Sequence, residues 1–231
     1  GYVSGATFAQ ALGWTGARVA SSYAACASGV TALEAARTRI LAGLADVALV
    51  VGADTTPKGF LAPNAGDRPT DPDWLRFRLV GATNPTYFAL AARRRIDLYG
   101  ATSEDFAKVK VKNARNGLAN PNARFQKEVS VEDVLASPMV ADPLHLLEIC
   151  ATSDGGAAVI LTSMDFARRH AGSAGAPVRV AGVSTVTPTY PNTIIDLPDM
   201  ATDSTAVVAR DERTFKQSIA HAAYEEAGIG P

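Results

Sequence analysis

The sequence contains few of the residues that build disulfide frameworks or metal sites. Its 231 residues include only two cysteines and three histidines. Two cysteines far apart along the chain do not make the framework of a small secreted protein, so we expect free thiols and a reducing compartment. No spacing of His, Cys and Asp resembles a metal site, so we expect no bound metal.

Long apolar runs and an excess of basic charge are also missing. No apolar run approaches the about 18 residues that span a bilayer, and Gly1 does not begin a signal peptide. With 22 Lys and Arg against 23 Asp and Glu, the formal net charge is −1, which argues against a nucleic-acid partner. We therefore expect a cytoplasmic protein with no membrane span and no nucleic-acid partner. The chain starts without Met and ends at Pro231, just after a helix stop at Gly228, so we expect a piece of a longer protein.

The apolar residues follow two patterns, one typical of strands and the other of helices. Val19–Ala25 is a run of mostly small residues that predicts a buried strand. After Cys26, apolar residues recur at helical spacing as far as Leu44. Asp46–Val51 is almost wholly apolar, which favours a strand buried on both faces in a parallel sheet. Strand, helix and strand in succession predict a βαβ unit and an α/β fold.

Capping and turn residues divide the rest of the chain. The loop-like stretches are residues 57–75 and the linker Ala171–Pro177. Three helices are predicted first: one with Asn84 as its cap and Gly100 past its end, one from the cap Thr102 to the stop Gly117, and a short one that Ser130 opens and Pro138 ends. After them, strands are predicted over Ala157–Leu161 and Val178–Val186, and helices over Ser163–His170 and Asp211–Ala227.

Cys26 is the main candidate for chemistry. It lies where the predicted strand leads into the predicted helix, among neighbours too small to cover it. Unpaired N–H groups and the dipole at a helix N-terminus stabilise a thiolate and can hold the oxyanion formed when sulfur attacks a thioester. The sequence also allows a capping box from Thr31 to Glu34, which would start the helix one turn later. The alternative is that Cys26 is a small buried residue without a chemical role.

The other candidates have weaker signals. We interpret Cys150, which precedes a strand, as a small buried hydrophobe. The three histidines lie in segments that suggest ordinary polar positions. Two basic clusters, Arg93–Arg95 and the alternating Lys108, Lys110 and Lys112, are either solvated helix faces or a landing site for the phosphates of a nucleotide-bearing ligand.

Strings of residues along most of the chain resemble the thiolase superfamily. The nucleophile region is similar over Ser22–Gly29, and again over Ala45–Asp54. Further strings resemble the sterol-carrier-protein-type thiolases and their relatives, the lipid-transfer or lipid-carrier proteins. They are Tyr99–Asn113, Asn120-Pro121, Glu132–Met139, Ala141–Leu144 and Cys150–Gly155.

The resemblance implies a layered α/β/α fold of two similar halves, with an α-rich loop domain inserted in the first. Mapped onto this chain, residues 1–56 and 147–170 form the first half and residues 57–146 form the inserted loop domain. Residues 171–177 are then a linker, and residues 178–231 begin a second half that is incomplete.

The resemblance also implies an activity. Cys26 matches the acyl-accepting nucleophile of a thiolase that cleaves a 3-oxoacyl-CoA, here of a steroid or branched lipid, with CoA as a substrate and no permanently bound cofactor. Arg93, Arg94, Lys108 and Lys110 would then face the CoA phosphates. The alternatives are a retro-aldol lyase that cleaves steroid side chains with an OB-fold partner protein, and a non-catalytic lipid carrier. Family members are typically homodimers.

Other catalytic elements of the family do not match this chain. A histidine-containing motif and usually a second cysteine belong to the second half, and we expect them beyond Pro231. None of His145, His170 and His221 falls in such a motif. We therefore expect an incomplete active site in this stretch of sequence.

Overall fold

The computed structural model describes residues 4–13, 15–55, 70, 83–170, 176–186 and 215–230. These residues form two compact units, the first from the described residues before position 56 and after position 153, the second from those between. The helices are α1 (Ser4–Ala11), α2 (Ser28–Leu41), α3 (Asn84–Tyr99), α4 (Ser103–Leu118), α5 (Val131–Ala136), α6 (Met164–His170) and α7 (Phe215–Ala227). The strands are β1 (Val47–Asp54), β2 (Met139–Ala141), β3 (Leu144–His145) and β4 (Gly155–Thr162), and a 3₁₀ turn covers Leu146–Glu148. Helices and strands in this mixture confirm the predicted α/β class.

A pair of long strands organises the first unit. β1 pairs with β4 in antiparallel register, with Val47 opposite Thr162 and Asp54 opposite Gly155. Just after β4, the Ser163 hydroxyl donates to the Asp46 carboxylate at 3.0 Å, and the Ser163 N–H donates to the Asp46 carbonyl at 2.8 Å. Helix α2, which follows Cys26, packs beside this pair of strands.

Two strand predictions in this unit are wrong. Val19–Ala25 contains no extended strand, and the Val19 side chain is 48% exposed. The apolar run that became β1 is not buried on both faces, because Leu49 is 51% exposed, and its described partner is antiparallel. The βαβ prediction therefore fails for the described residues. An apolar run indicates a strand, but it carries no information about which distant strand will pair with it or in which direction.

The segment over residues 176–186 lies along α2 and α7 without forming the predicted strand. The Val183 N–H donates to Glu226 Oε2 at 2.8 Å, and Arg37 pairs with Glu226 Oε1 at 2.5 Å. Gly182 is required here, because a Cβ at this position would lie 2.9 Å from the Ala223 carbonyl oxygen. The Val183 backbone N–H is therefore bonded to a side chain and not to a neighbouring strand. The predicted helix over Asp211–Ala227 is present as α7, and residues 211–214 lie outside the described part of the chain.

The second unit is built from helices that begin and end where their capping residues predict. In α4 and α5 the caps Thr102 and Ser130 accept from the N–H groups of Asp105 and Asp133, and each aspartate accepts from its cap in return. These bonds, those from the backbone N–H groups above all, lower the pKa of both aspartates. Helix α3 ends at Gly100, whose φ of 65° places it in the left-handed region that glycine adopts freely.

Two details of these helix ends differ from the prediction. The cap of α3 is Thr83, one residue before Asn84. Helix α4 continues past Gly117 to Leu118, and a Cβ at Gly117 would lie 3.1 Å from the Phe125 carbonyl oxygen. The glycine therefore allows the close approach of the following loop, and does not end the helix.

The core of the second unit is small. Ala89 and Ala92 of α3 are buried against Leu144, with Phe106 and Ile149 packed beside them. Of the predicted loop over residues 57–75, only Thr70 is described, and of the predicted linker over residues 171–177, only 176 and 177. No helix within the described ranges is both long enough and apolar enough to cross a bilayer.

Candidate active site

Cys26 has a free thiol that is exposed to solvent. It belongs to the first unit and lies two positions before Ser28, the first residue of the 14-residue helix α2. The prediction that the cysteine stands at a helix entrance among small, uncovering neighbours therefore agrees with the structure. The alternative of a buried cysteine does not.

A tight turn with an unusual backbone conformation presents this cysteine. The residue before it, Ala25, has a φ of 47° and is the one non-glycine residue with positive φ in the described part of the chain. Around the cysteine, the Ala27 N–H donates to the Ala24 carbonyl at 2.9 Å and the Ser28 N–H donates to the Ala25 carbonyl at 3.1 Å. A left-handed alanine costs about 1–2 kcal/mol, and such conformations persist where the surroundings hold them, often at functional sites.

The first turn of α2 keeps backbone donors available. Its N-cap is Ala27, which has no side chain to cap the helix, and no acidic residue lies in the first turn. Within the described residues, the N–H groups of Gly29 and Val30 have no hydrogen-bond acceptor. The positive end of the helix dipole is therefore not neutralised beside Cys26, and two donors remain for an anion.

The alternative helix start at Thr31 does not occur. The Thr31 hydroxyl donates to the Ala27 carbonyl at 2.9 Å, and the Glu34 carboxylate accepts from the Thr185 hydroxyl at 2.5 Å. Neither side chain forms the predicted capping box, because the helix has already begun at Ser28. The cysteine consequently stands closer to the helix entrance than that alternative implies.

This geometry suits a sulfur nucleophile. The exposed thiol can reach a substrate, and the N–H donors at the helix entrance can hold negative charge that develops on a carbonyl oxygen under attack. A thioester formed on the sulfur keeps the energy that a second thiol needs to take over the acyl group.

Cys150 is not the buried hydrophobe that its neighbours suggest. Its thiol is exposed, and its nearest polar contact is a weak one to the Ala151 carbonyl oxygen at 3.9 Å. It lies in the second unit, in the coil between the 3₁₀ turn and β4. Apolar neighbours in sequence mislead here because the coil runs along the surface.

The four basic residues considered for phosphate binding lie in the second unit, on two helices. On α3, Arg93 pairs with Asp142, and Arg94 is also engaged in an interaction. On α4, Lys108 pairs with Asp105 at 3.2 Å, and Lys110 lies 5.3 Å from the centre of the Phe125 ring. Each of the four residues therefore has a partner within the chain, and phosphate binding stays a prediction.

The histidines have structural contacts. Nδ1 of His145 lies 2.7 Å from the Ser137 carbonyl oxygen, His170 stacks on Phe166, and Nε2 of His221 lies 2.8 Å from Glu225. Across the described ranges, no three His, Cys, Asp or Glu residues are grouped so that they could hold a metal ion.

Two features of the site were not predicted from the sequence. The conformation of Ala25 has no signal in the sequence, because alanine does not favour positive φ. The Ser28 hydroxyl contacts two backbone groups of the turn, accepting from the Ala24 N–H at 2.8 Å and donating to the Ala25 carbonyl at 2.7 Å. The serine two positions after Cys26 could have predicted these bonds, because a serine in the first helical turn commonly bonds to nearby backbone groups.

Comparison with known proteins agrees with this fold class. The model of the thiolase N-terminal domain matches residues 16–165. Sterol carrier protein 2 of Gallus gallus is 38% identical over 166 residues, which cover 69% of this chain and 30% of that protein. Benzoylsuccinyl-CoA thiolase subunit BbsB of Thauera aromatica is 32% identical over 234 residues, which cover 100% of this chain and 56% of that protein.

A solved structure is also similar. The Ltp2-ChsH2(DUF35) aldolase matches with a TM-score of 0.50 and 31% identity, over 61% of this chain and 36% of that chain. The chain thus spans between about a third and just over half of the proteins it resembles.

The fold class and the cysteine at the helix entrance define a thiolase-like α/β protein. The chain belongs to the thiolase superfamily, and sterol carrier protein 2 is among the proteins that it resembles.

Proposed function

We propose that this chain carries the nucleophile of a CoA-dependent thiolase that cleaves a 3-oxoacyl-CoA, of a steroid or branched lipid, through an acyl-enzyme on Cys26. The observation that carries the proposal is the exposed thiol ahead of α2, beside the unoccupied N–H groups of Gly29 and Val30. The thiolase among the similar proteins supports the same reading.

In this reaction the Cys26 thiolate attacks the 3-oxo carbon of the substrate. A carbon–sulfur bond forms, the bond between C2 and C3 breaks, and the electron pair stays on C2 of the departing acetyl-CoA enolate, which a proton then completes. Free CoA, as its thiolate, next attacks the thioester on Cys26, so that a shortened acyl-CoA leaves and the cysteine thiolate is restored. We assign the proton transfers to no residue of the described chain.

The negative charge at each attack develops on a carbonyl oxygen next to the sulfur. N–H donors fixed at the start of a helix stabilise such an oxygen more than water does, because they need no reorganisation during the reaction. The N–H groups of Gly29 and Val30, which have no acceptor among the described residues, meet this requirement.

The remaining parts of the proposal rest on the family alone. They are CoA phosphates near Arg93, Arg94, Lys108 and Lys110, a homodimer, and a division into a first half (1–56 and 147–170), an inserted loop domain (57–146), a linker (171–177) and the start of a second half (178–231).

A second candidate function has its own support. The similar solved structure is the Ltp2-ChsH2(DUF35) aldolase, and this similarity favours a retro-aldol lyase with a partner protein. Such a lyase breaks a carbon–carbon bond in a 3-hydroxyacyl-CoA and releases a ketone or aldehyde without consuming CoA. A lyase of this kind needs no sulfur nucleophile. The exposed thiol of Cys26, in a turn held in an unusual backbone conformation, therefore favours the thiolase.

The experiment compares Cys26→Ala with the matched control Cys150→Ala in the full-length protein. Both thiols are exposed, so each substitution removes one accessible sulfur. We expect Cys26→Ala to lower CoA-dependent release of acetyl-CoA from a 3-oxoacyl-CoA by about a thousand-fold or more, because the acyl-enzyme cannot form. Cys150→Ala should retain the wild-type rate.

The same preparations are tested with a 3-hydroxyacyl-CoA in the absence of free CoA. Cleavage of this substrate that survives Cys26→Ala would establish the lyase and exclude the thiolase reading. Absence of both activities in the wild-type protein, together with binding of a fatty acyl or sterol ligand, would leave the lipid carrier.

A further inference from the structure

We propose that Ser28 is a positioning residue for Cys26: its hydroxyl holds the turn that presents the thiol at the entrance of α2, and thereby sets the reactivity of that thiol. The part of the inference that concerns turnover rests on the proposed function. The part that concerns thiol reactivity does not.

The hydroxyl connects two backbone groups that precede the cysteine. Ser28 Oγ accepts from the Ala24 N–H at 2.8 Å and donates to the Ala25 carbonyl at 2.7 Å. The Ser28 N–H donates to the same Ala25 carbonyl at 3.1 Å. One residue therefore makes three bonds to the two residues before Cys26, while the sulfur itself remains free and exposed.

These bonds fall on the strained residue of the turn. Ala25 has a φ of 47°, a region that alanine avoids and that persists only where neighbours over-determine it. The Ala25 carbonyl accepts twice from Ser28, and the Ala24 N–H on its other side is held by the same hydroxyl. Without the hydroxyl, this backbone is free to relax toward negative φ, which would turn the following Cys26 away from the helix entrance.

The direction of the hydroxyl also keeps the helix donors open. A serine at the N-cap usually accepts from the N–H groups of the second and third helical residues. Here the N-cap is Ala27, and Ser28, the first helical residue, turns its hydroxyl backwards. The N–H groups of Gly29 and Val30 consequently stay without an acceptor in the described chain. One serine thus fixes the nucleophile and leaves the adjacent anion donors unoccupied.

The test removes or retains this hydroxyl in the full-length protein. Ser28→Ala deletes both side-chain bonds, whereas Ser28→Thr retains the hydroxyl. The matched control is Thr31→Val, which removes the other hydroxyl of the first turn, bonded to the Ala27 carbonyl, without touching Ala24 or Ala25.

The first readout is the rate of alkylation by iodoacetamide, measured on tryptic peptides. Cleavage after Arg18 and Arg37 isolates Cys26, and cleavage after Lys127 and Arg168 isolates Cys150, so the second thiol is an internal control in every sample. We expect Ser28→Ala to slow alkylation of Cys26 by about ten-fold, as the loss of one to two hydrogen bonds implies. Ser28→Thr and Thr31→Val should stay within about three-fold of wild type, and Cys150 should be unchanged throughout.

The second readout separates positioning from loss of structure. With a 3-oxoacyl-CoA as substrate, Ser28→Ala should lower kcat by about ten-fold and leave KM within about two-fold, because substrate binding is retained while the attacking atom is misplaced. If Ser28→Ala unfolds the protein, the same substitution is measured in the Ala25→Gly background. There the left-handed conformation needs no support, so Ser28→Ala should change alkylation of Cys26 by less than about three-fold.

The outcomes are distinct for the two proposals. Equal alkylation of Cys26 in Ser28→Ala and Thr31→Val would overturn the role of Ser28. So would an about ten-fold slowing by Ser28→Ala in the Ala25→Gly background, where no strained alanine is left for the hydroxyl to hold. Slower alkylation in Ser28→Ala together with full activity of Cys26→Ala would support the role of Ser28 and refute the thiolase.

Discussion

Replacing Ala25 by glycine tests the conformation on which the candidate site depends. In the left-handed region an alanine costs about 1–2 kcal/mol relative to glycine, and Ala25 is held there with a φ of 47°. Glycine also loses more freedom on folding, which offsets about 0.4–1 kcal/mol of that gain. The difference leaves a stabilisation of about 0.8 kcal/mol, and a rise in Tm of about 2–3 °C for a chain of this size.

The matched control is the same substitution in a helix interior. Ala35 is an exposed residue of α2, where Ala→Gly costs about 1 kcal/mol and should lower Tm by about 2–4 °C. The assay is unfolding of the full-length protein by urea and by heat, followed by circular dichroism. The expected results therefore differ in sign for two identical chemical changes less than a dozen residues apart.

A fall in stability for Ala25→Gly similar to that for Ala35→Gly would refute the reasoning. It would mean that Ala25 has ordinary helical or extended backbone in solution. The prepared turn ahead of Cys26, and the role proposed for Ser28, would then lose their basis.

Two further predictions concern other parts of the chain. The Val183 N–H and the Arg37 guanidinium lower the pKa of Glu226, so the stabilisation by this carboxylate is fully present above about pH 4.5 and is lost as the pH falls through its lower folded-state pKa. The difference in urea midpoint between wild type and Glu226→Gln should therefore be constant near neutral pH and shrink below a pH of about 4. A difference that grows on acidification would contradict the assignment. If Lys110 faces a CoA phosphate, Lys110→Gln should raise KM for CoA by about five-fold, as the loss of a solvent-screened ionic contact implies. The control Lys127→Gln should leave KM for CoA unchanged. Equal KM values in steady-state assays of both variants would remove Lys110 from the proposed phosphate site.

Local signals in the sequence were sufficient for most helix ends. The caps Thr102 and Ser130, and the stop Gly100, act through bonds between residues three or four positions apart. Such contacts form whatever the rest of the chain does, which is why they can be predicted. Gly117 shows the limit of such local signals. A glycine is favoured at this position because the Phe125 backbone approaches it closely, and not because the helix ends there.

The strands were less predictable than the helices. The apolar content of β1 identified a strand, but its pairing with β4 joins residues from distant parts of the chain. The run Val19–Ala25 has strand-like composition and forms no extended strand. Pairing depends on which partner arrives, and that choice is made by tertiary packing.

By itself, the sequence determined the α/β class, the superfamily, the helix boundaries set by capping residues, and the position of Cys26 just ahead of a helix. Only the tertiary structure decided that β1 runs antiparallel to β4, that Cys150 is exposed, that Ala25 is left-handed, and that the Ser28 hydroxyl turns back onto the cysteine's turn. The physical reason is the range of the forces involved. A cap or a periodic apolar face is satisfied within one or two helical turns, whereas strand direction, exposure and a strained φ depend on every neighbour that the folded chain brings into contact.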